Sequence, residues 1–327
     1  MSGGLPSLYA AWITELLAGC IPEEQAATCD ACAMCGTGVG ATVSFRPDLK
    51  CCTYTPELPN FIVGRILSDR HPSGSDGRGT ILDRIRAGVC ITPLGLGRPH
   101  ALEQRYLDGS SEGYGRSPEL RCPHYELATG RCGIWQNRNA VCATWFCKHS
   151  RGAVGLRFWE TLRDLLRVVE KALAQWCVTE MALPTGQAGW GPWFGRENEF
   201  YIECARRMGE PTWPTVLARS GVDVRTHSDR VRHAFQELTV WALPPRLTQK
   251  PLTVIRSAGS GRLTVSTYSG LDPLSVPTDL FTALRHFDGR PTLDALETIR
   301  SVERLDLSTR LVRKLVDFEL LESARDE

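Results

Sequence analysis

The sequence predicts an α+β chain that is mostly helical. It divides into a loop-rich cysteine domain (1–155), a helical region packing on it (156–244) and a smaller C-terminal unit of mixed strand and helix (245–327). Three observations carry this prediction. Nine of the thirteen cysteines fall in two groups inside the first part, among recurrent Gly and Pro. Apolar residues return every three or four positions through the middle part, the spacing of amphipathic helices. Pro244 and Pro245 then punctuate the chain, and beyond them one alternating run is followed by three short helical segments.

Composition sets the limits of the reading. With 327 residues the chain is long for one domain and comfortable for two, and it can bury a sizeable core without covalent staples. Its 38 Lys and Arg against 37 Asp and Glu, with 42% apolar residues, suit a globular protein and disfavour a polybasic nucleic-acid binder. Charges break every apolar stretch before the eighteen or so residues a membrane span needs, so no membrane partner is expected. Residues 1–20 lack a basic start and carry Glu15 within their apolar run, unlike a secretory signal. A cytoplasmic, reducing location is therefore expected, where dense cysteines are more often metal ligands than cystines.

The elements follow in order. Leu5, Leu8, Trp12, Ile13, Leu16 and Leu17 place a short amphipathic helix over 5–18. From Cys29 to Pro59 the chain is punctuated by Gly and Pro, with one strand-like run at 41–45, so its order has to come from something other than a core. Residues 60–67 are apolar and read as helix or extended chain. The Gly- and Pro-rich stretch 68–79 reads as a loop, 80–87 as a helix and 89–92 as a buried strand. Residues 98–118 are polar and Gly-containing, a second loop long enough to suspect a lid. Leu156, Trp159, Leu162, Leu165, Leu166, Val169, Leu173 and Trp176 mark the clearest helix, which must bury one face. Residues 183–192 form a loop, and the aromatic and basic mix at 190–196 reads as a packed interhelical connection. Further helices are expected at 197–208 and 229–241. Beyond the two prolines, 262–267 alternates like a strand, followed by helices at 278–286, after Pro291 and behind a cap at Ser308.

The cysteines carry the chemistry. Cys29, Cys32 and Cys35 form C-x2-C-x2-C, with Cys51 and Cys52 downstream; Cys122, Cys132, Cys142 and Cys147 form the second group. Two-residue gaps let consecutive thiolates converge on one centre. All nine are candidate metal ligands, one more than two four-ligand sites require. His124 and His149 lie within two residues of a cysteine, but a surface or supporting role suits them better than ligation. Cys20, Cys90, Cys177 and Cys204 stand alone and read as small hydrophobes. Thiolate ligation admits tetrahedral Zn(II) or an iron–sulfur cluster. The C-x2-C-x2-C run with a distant Cys122-Pro123 leans toward a cluster of the 4Fe-4S type. Such a metal can also serve as a staple, replacing a missing core without chemistry. Gly36, Gly38 and Gly40 precede a strand, the reverse of a dinucleotide-binding turn, and no nucleophile elbow, phosphate loop or H-E-x-x-H motif occurs.

The stretch GRCGIWQNRNAVCATWFC, 130–147, resembles the second half of the YkgJ-type cysteine-cluster family, a Cys, then G-x-C-x-I-Y-x-x-R-P-x-x-C and a further Cys. Cys122, Cys132, Cys142 and Cys147 match those cysteines, Ile134 and Arg138 match the Ile and Arg, and Trp135 replaces the Tyr. Asn139 stands where the family has Pro. The family's first half, C-x2-C-x2-C-C, is similar to Cys29, Cys32, Cys35 and the Cys51-Cys52 pair, with fifteen residues inserted before the pair. The resemblance covers about residues 25–150 and implies a zinc- or iron-chelating domain.

The C-terminal pattern, strand and three short helices with a turn at Asp288-Gly289, is that of a winged-helix-like unit. It resembles PqqD-like peptide-recognition domains. Twelve Lys and Arg offset twelve Asp and Glu over 245–327, so the footprint of nonspecific phosphate contact is missing and nucleic acid is an unlikely partner. A protein or peptide partner fits better. The expected function is a cytosolic cysteine-ligated metalloprotein acting as an accessory or redox component. The alternatives are an iron–sulfur enzyme acting on a peptide or small molecule, and a metal- or redox-sensing transcriptional regulator. No catalytic residue is assigned.

Overall fold

The computed structural model describes residues 4–24, 32, 34–35, 44–70, 75–183, 189–221, 223–258 and 261–324. It is α+β and mostly helical. In chain order the elements are α1 (Ser7–Leu17), β1 (Leu58–Pro59), α2 (Asn60–Ser68), α3 (Ser75–Arg86), β2 (Ile91–Thr92), β3 (Gly95–Leu96) and α4 (His100–Gly113). Then come β4 (Tyr125–Glu126), β5 (Arg131–Cys132), α5 (Ala140–Thr144), α6 (Gly152–Glu180), α7 (Glu197–Met208), α8 (Trp213–Ser220) and α9 (Asp223–Thr239). The C-terminal elements are β6 (Arg246–Gln249), β7 (Val254–Ala258), β8 (Arg262–Val265), β9 (Leu274–Pro277), α10 (Thr278–Ala283), β10 (Asp288–Pro291), α11 (Thr292–Thr298), α12 (Thr309–Asp317) and β11 (Leu321–Ser323).

Helix α6, 29 residues long, organises the larger part. Its apolar stripe, including Phe158, Leu162, Leu165, Val169 and Leu173, is buried, as the spacing requires. One hydrophobic core gathers this stripe with residues of α1, α2, α7, α8 and α9. Cysteine region and helical middle therefore share a core. Helices α2 and α7 approach so closely that a Cβ on Gly64 would lie 1.9 Å from the Tyr201 carbonyl oxygen. Only a residue without a side chain permits that contact. Gly64→Ala is expected to push α2 off α7 and to destabilise by about 1–3 kcal/mol, measured as a lowered denaturation midpoint.

Several expectations need correction. The helix expected from residue 80 begins earlier, at Ser75, so that 75–79 is helix rather than loop. Gly77 serves close approach, since a Cβ there would meet the Gly133 carbonyl oxygen at 2.2 Å, while Ile81 is fully buried. The expected lid at 98–118 is largely α4, held at its base where the Thr55 N–H donates to the Tyr106 hydroxyl at 2.9 Å. The expected buried strand at 89–92 shrinks to two residues of a small hairpin, and Val89 is exposed. Cys90, at φ +51, sits in the turn that precedes it. Helix α8 has no counterpart among the expectations. Its Pro214 lies in the first turn, where a missing N–H breaks no helical bond. Helix α9 starts at Asp223, ahead of the expected 229. The strand-like start at 41–43 and Gly36, Gly38 and Gly40 lie outside the described residues.

The C-terminal part has its own core, built from Leu247, Val265, Leu284, Phe287, Ile299, Val312 and Leu315 among others. Strand β6 pairs antiparallel with β10 and β11, and β8 with β7 and β9. The three helical segments fall where expected, and the Ser308 hydroxyl accepts from the Leu311 N–H at 3.2 Å as the cap of α12. This part is bolted to the larger one through Asp317. Its carboxylate receives the Arg151 Nε at 2.5 Å and the Arg313 Nε at 2.8 Å. Arg151 also donates to the carbonyls of Leu238 and Val240.

Candidate metal centre

Short local devices aim the cysteines. A turn ending at Lys50, at φ +53, leads into Cys51 and Cys52, and the Cys52 N–H donates back to the Leu49 carbonyl at 3.0 Å. The Cys122 N–H then donates to the Cys52 carbonyl at 2.8 Å, which ties the two cysteine groups together through the backbone. The β4–β5 hairpin sets Cys132 opposite Tyr125. Asn139 caps α5 by accepting the Cys142 N–H at 3.1 Å, so the residue that departs from the family pattern fixes the backbone of a cysteine. Arg138 is buried, lies 3.5 Å from the centre of the Trp135 ring and donates to the Cys142 carbonyl at 3.1 Å.

These devices bring Cys32, Cys51 and Cys52 together with Cys122, Cys132, Cys142 and Cys147 on the wall of one cavity of about 370 Å³. Cys35 stands beside Cys32, its thiol hydrogen-bonded to it. Cys29 lies outside the described residues. All described cysteines are free thiols. Among the described residues no three His, Cys, Asp or Glu side chains converge closely enough to hold an ion as they stand. The thiols share walls rather than a single point. Of the scattered cysteines, Cys177 and Cys204 are buried in the larger core as expected, whereas Cys90 is half-buried and Cys20 exposed.

The histidines are not on the surface. His124 is 1% exposed, with Nδ1 2.7 Å from the Thr80 hydroxyl and Nε2 without a hydrogen-bond partner. Burial and the nearby Arg84 push its pKa down to about 3, so its ring is neutral. His149 is also buried, and its N–H donates to the Tyr268 hydroxyl at 3.1 Å, which links the segment after Cys147 to the C-terminal part.

The cavity's electrostatics favour negative sulfur. Among the described residues Lys50, Arg138, Lys148, Arg163 and Arg167 line it, and no carboxylate does. A hydrogen bond from the Cys52 thiol, aided by the Arg138 and Lys50 charges, brings Cys51 down to about 7 despite its burial. Burial and neighbouring thiolates push Cys122 up to about 12 and Cys142 well up. Crowded thiols cannot all ionise unless a cation joins them, and a soft metal displaces their protons. The donor set is all sulfur, which suits Zn(II) or an iron–sulfur cluster and not a hard cation. The donor chemistry, all sulfur, fits the thiolate-bound group that the spacing implies, while the described thiols do not converge on one point.

Sequence reasoning missed Glu170. It interrupts the apolar face of α6, and that interruption is the signal that could have found it. The Tyr9 hydroxyl and the Ala140 N–H both donate to its Oε1, the latter at 2.7 Å. Burial pushes its carboxyl up from 4.5 to about 7. Between those values the unfolded chain has released a proton that the folded chain keeps, so stability falls as pH rises through this window and levels off above it. The total is about 3 kcal/mol. Glu170→Gln should therefore gain stability relative to the parent between about pH 5 and about pH 8, as read by urea unfolding.

Among the described residues no helix is long and apolar enough to cross a membrane. No family model matches the chain, and neither a curated protein nor a solved structure matches it.

Proposed function

We propose that this chain is a cysteine-ligated metalloprotein whose cavity holds an iron–sulfur cluster, and that its winged-helix-like C-terminal part docks a peptide or protein partner. One observation carries the reading: among the described residues, seven thiols from two stretches distant in sequence line a single cavity with five cations and no carboxylate. A cavity of about 370 Å³ is far larger than one ion needs, since a water's share of liquid volume is about 30 Å³. A cluster uses that space better than one zinc. The resemblance of residues 25–150 to the YkgJ-type family supports a metal-chelating domain, of zinc or iron.

When bound, such a cluster would supply one-electron transfer. This chain's own residues do the rest. Cys32, Cys51, Cys52, Cys122, Cys132, Cys142 and Cys147 are the ligand pool, Arg138 and Lys50 offset thiolate charge, and Trp135 and Phe146 help exclude water. The segment after Cys147 is held against the C-terminal part by His149 and Arg151. Partner binding there would act on the segment that follows Cys147.

Protein prepared without oxygen should be brown and should contain iron and acid-labile sulfide. A colourless preparation with stoichiometric zinc would replace the cluster by a zinc site. A preparation with neither metal overturns the proposal.

A further inference from the structure

Beside the cysteine cavity lies a second, more open cleft of about 640 Å³ between α6 and the β1–β3 pair. Tyr54, Val141 and Arg167 line both, so the two spaces share a wall. Glu170 lies in the cleft wall, 6% exposed. Its Oε1 is fully engaged by Tyr9 and Ala140. Among the described residues its Oε2 accepts no hydrogen bond, and it is not one of the enclosed unpaired atoms. A carboxyl oxygen that no protein group donates to, and that is not sealed from solvent, is free to accept from a ligand in the cleft.

Two further carboxylates, Glu57 and Asp164, border the cleft with Glu170, and two cations stand among them. Arg167 and Lys171, three residues before and one after Glu170 on the same helix, are both exposed and both border the cleft. Leu58, Leu94, Leu96 and Val168 supply apolar wall between them and the floor. The geometry points to a binding site for a free α-amino acid with an apolar side chain: its ammonium on the Glu170 carboxylate, its carboxylate on Arg167 and Lys171, its side chain against the leucines. Concave sites with an apolar lining and a few polar anchors take small ligands in this way. Because Arg167 belongs to both walls, the ligand's carboxylate would lie on the side of the cysteine cavity. That this is the substrate subsite of a metal centre rests on the function proposed above; the binding itself does not.

The test is calorimetric titration of the full chain with L-phenylalanine, with phenethylamine and 3-phenylpropanoate as probes that each lack one charged group. Metal content is measured on the same samples. L-Phenylalanine should bind, and each single-charge analogue should bind at least tenfold more weakly. Glu170→Gln keeps an oxygen for Tyr9 and Ala140 yet cannot pair with an ammonium, so it should weaken L-phenylalanine at least tenfold with unchanged metal content. Arg167→Ala, on the exposed face, provides a second variant that should weaken it several-fold without touching the core. No binding by the parent chain overturns the inference, and so does equal binding by Glu170→Gln. Binding to protein that contains no metal would uphold the amino-acid site while removing the metal centre.

Discussion

Cys142→Ser is expected to abolish metal retention, whereas Cys177→Ser leaves it unchanged. The Cys142 thiol lies on the cavity wall, on a helix whose cap Asn139 and whose carbonyl partner Arg138 fix its backbone. Serine keeps that backbone and removes only the soft donor. Loss of a mere supporting hydrogen bond typically costs such sites roughly 10–100-fold in affinity, so losing a ligand should cost more. Cys177 also sits in a fully buried position, but in the stripe of α6, with its Sγ 3.9 Å from the Cys204 carbonyl oxygen and away from the cavity lining. The pair separates ligand loss from general damage to a buried cysteine. Elemental analysis of both variants purified without oxygen is the measurement, and equal metal loss from both would refute the ligand assignment. Cys32→Ser should behave as Cys142→Ser does, because Cys32 brings the first group to the same wall.

The second large effect is expected at Asp317. Its side chain is 2% exposed and holds two guanidinium groups, Arg151 at 10% and Arg313 at 11%. Alanine there leaves both positive charges without their carboxylate in a site closed to water. Breaking a buried pair in this way costs about 3–5 kcal/mol, much of it the penalty of the charges left behind. Gly152 lies against the same point, at φ +50, where a Cβ would sit 2.2 Å from the Asp317 carbonyl oxygen. The two parts of the chain therefore meet with no slack. Asp317→Ala should lower the urea midpoint accordingly, and a change below about 1 kcal/mol would mean that the pair behaves as a solvated one.

How much of this was legible in advance differs from residue to residue. Apolar spacing located α1, α6 and α7, because an amphipathic stripe is a local signal that packing then uses. Ser308 announced α12 for the same reason, since a cap bonds its own next turn. Glycine misled the reading at Gly77, because a turn and a close backbone contact ask for the same missing side chain.

By itself, the sequence determined the helical character of the middle, the order of the three C-terminal helices and the grouping of the cysteines, all of which depend on neighbours a few residues apart; five of the six described C-terminal strands, β10 at the expected Asp288-Gly289 turn among them, it did not. Only the tertiary structure decided that Cys32 and Cys142 face one space, that Arg151 reaches Asp317 and that Glu170 opens into a cleft. Each of those contacts joins residues more than a hundred positions apart, or pairs a side chain with empty volume. Chain spacing carries no record of either; folding creates both when the long helix buries its stripe.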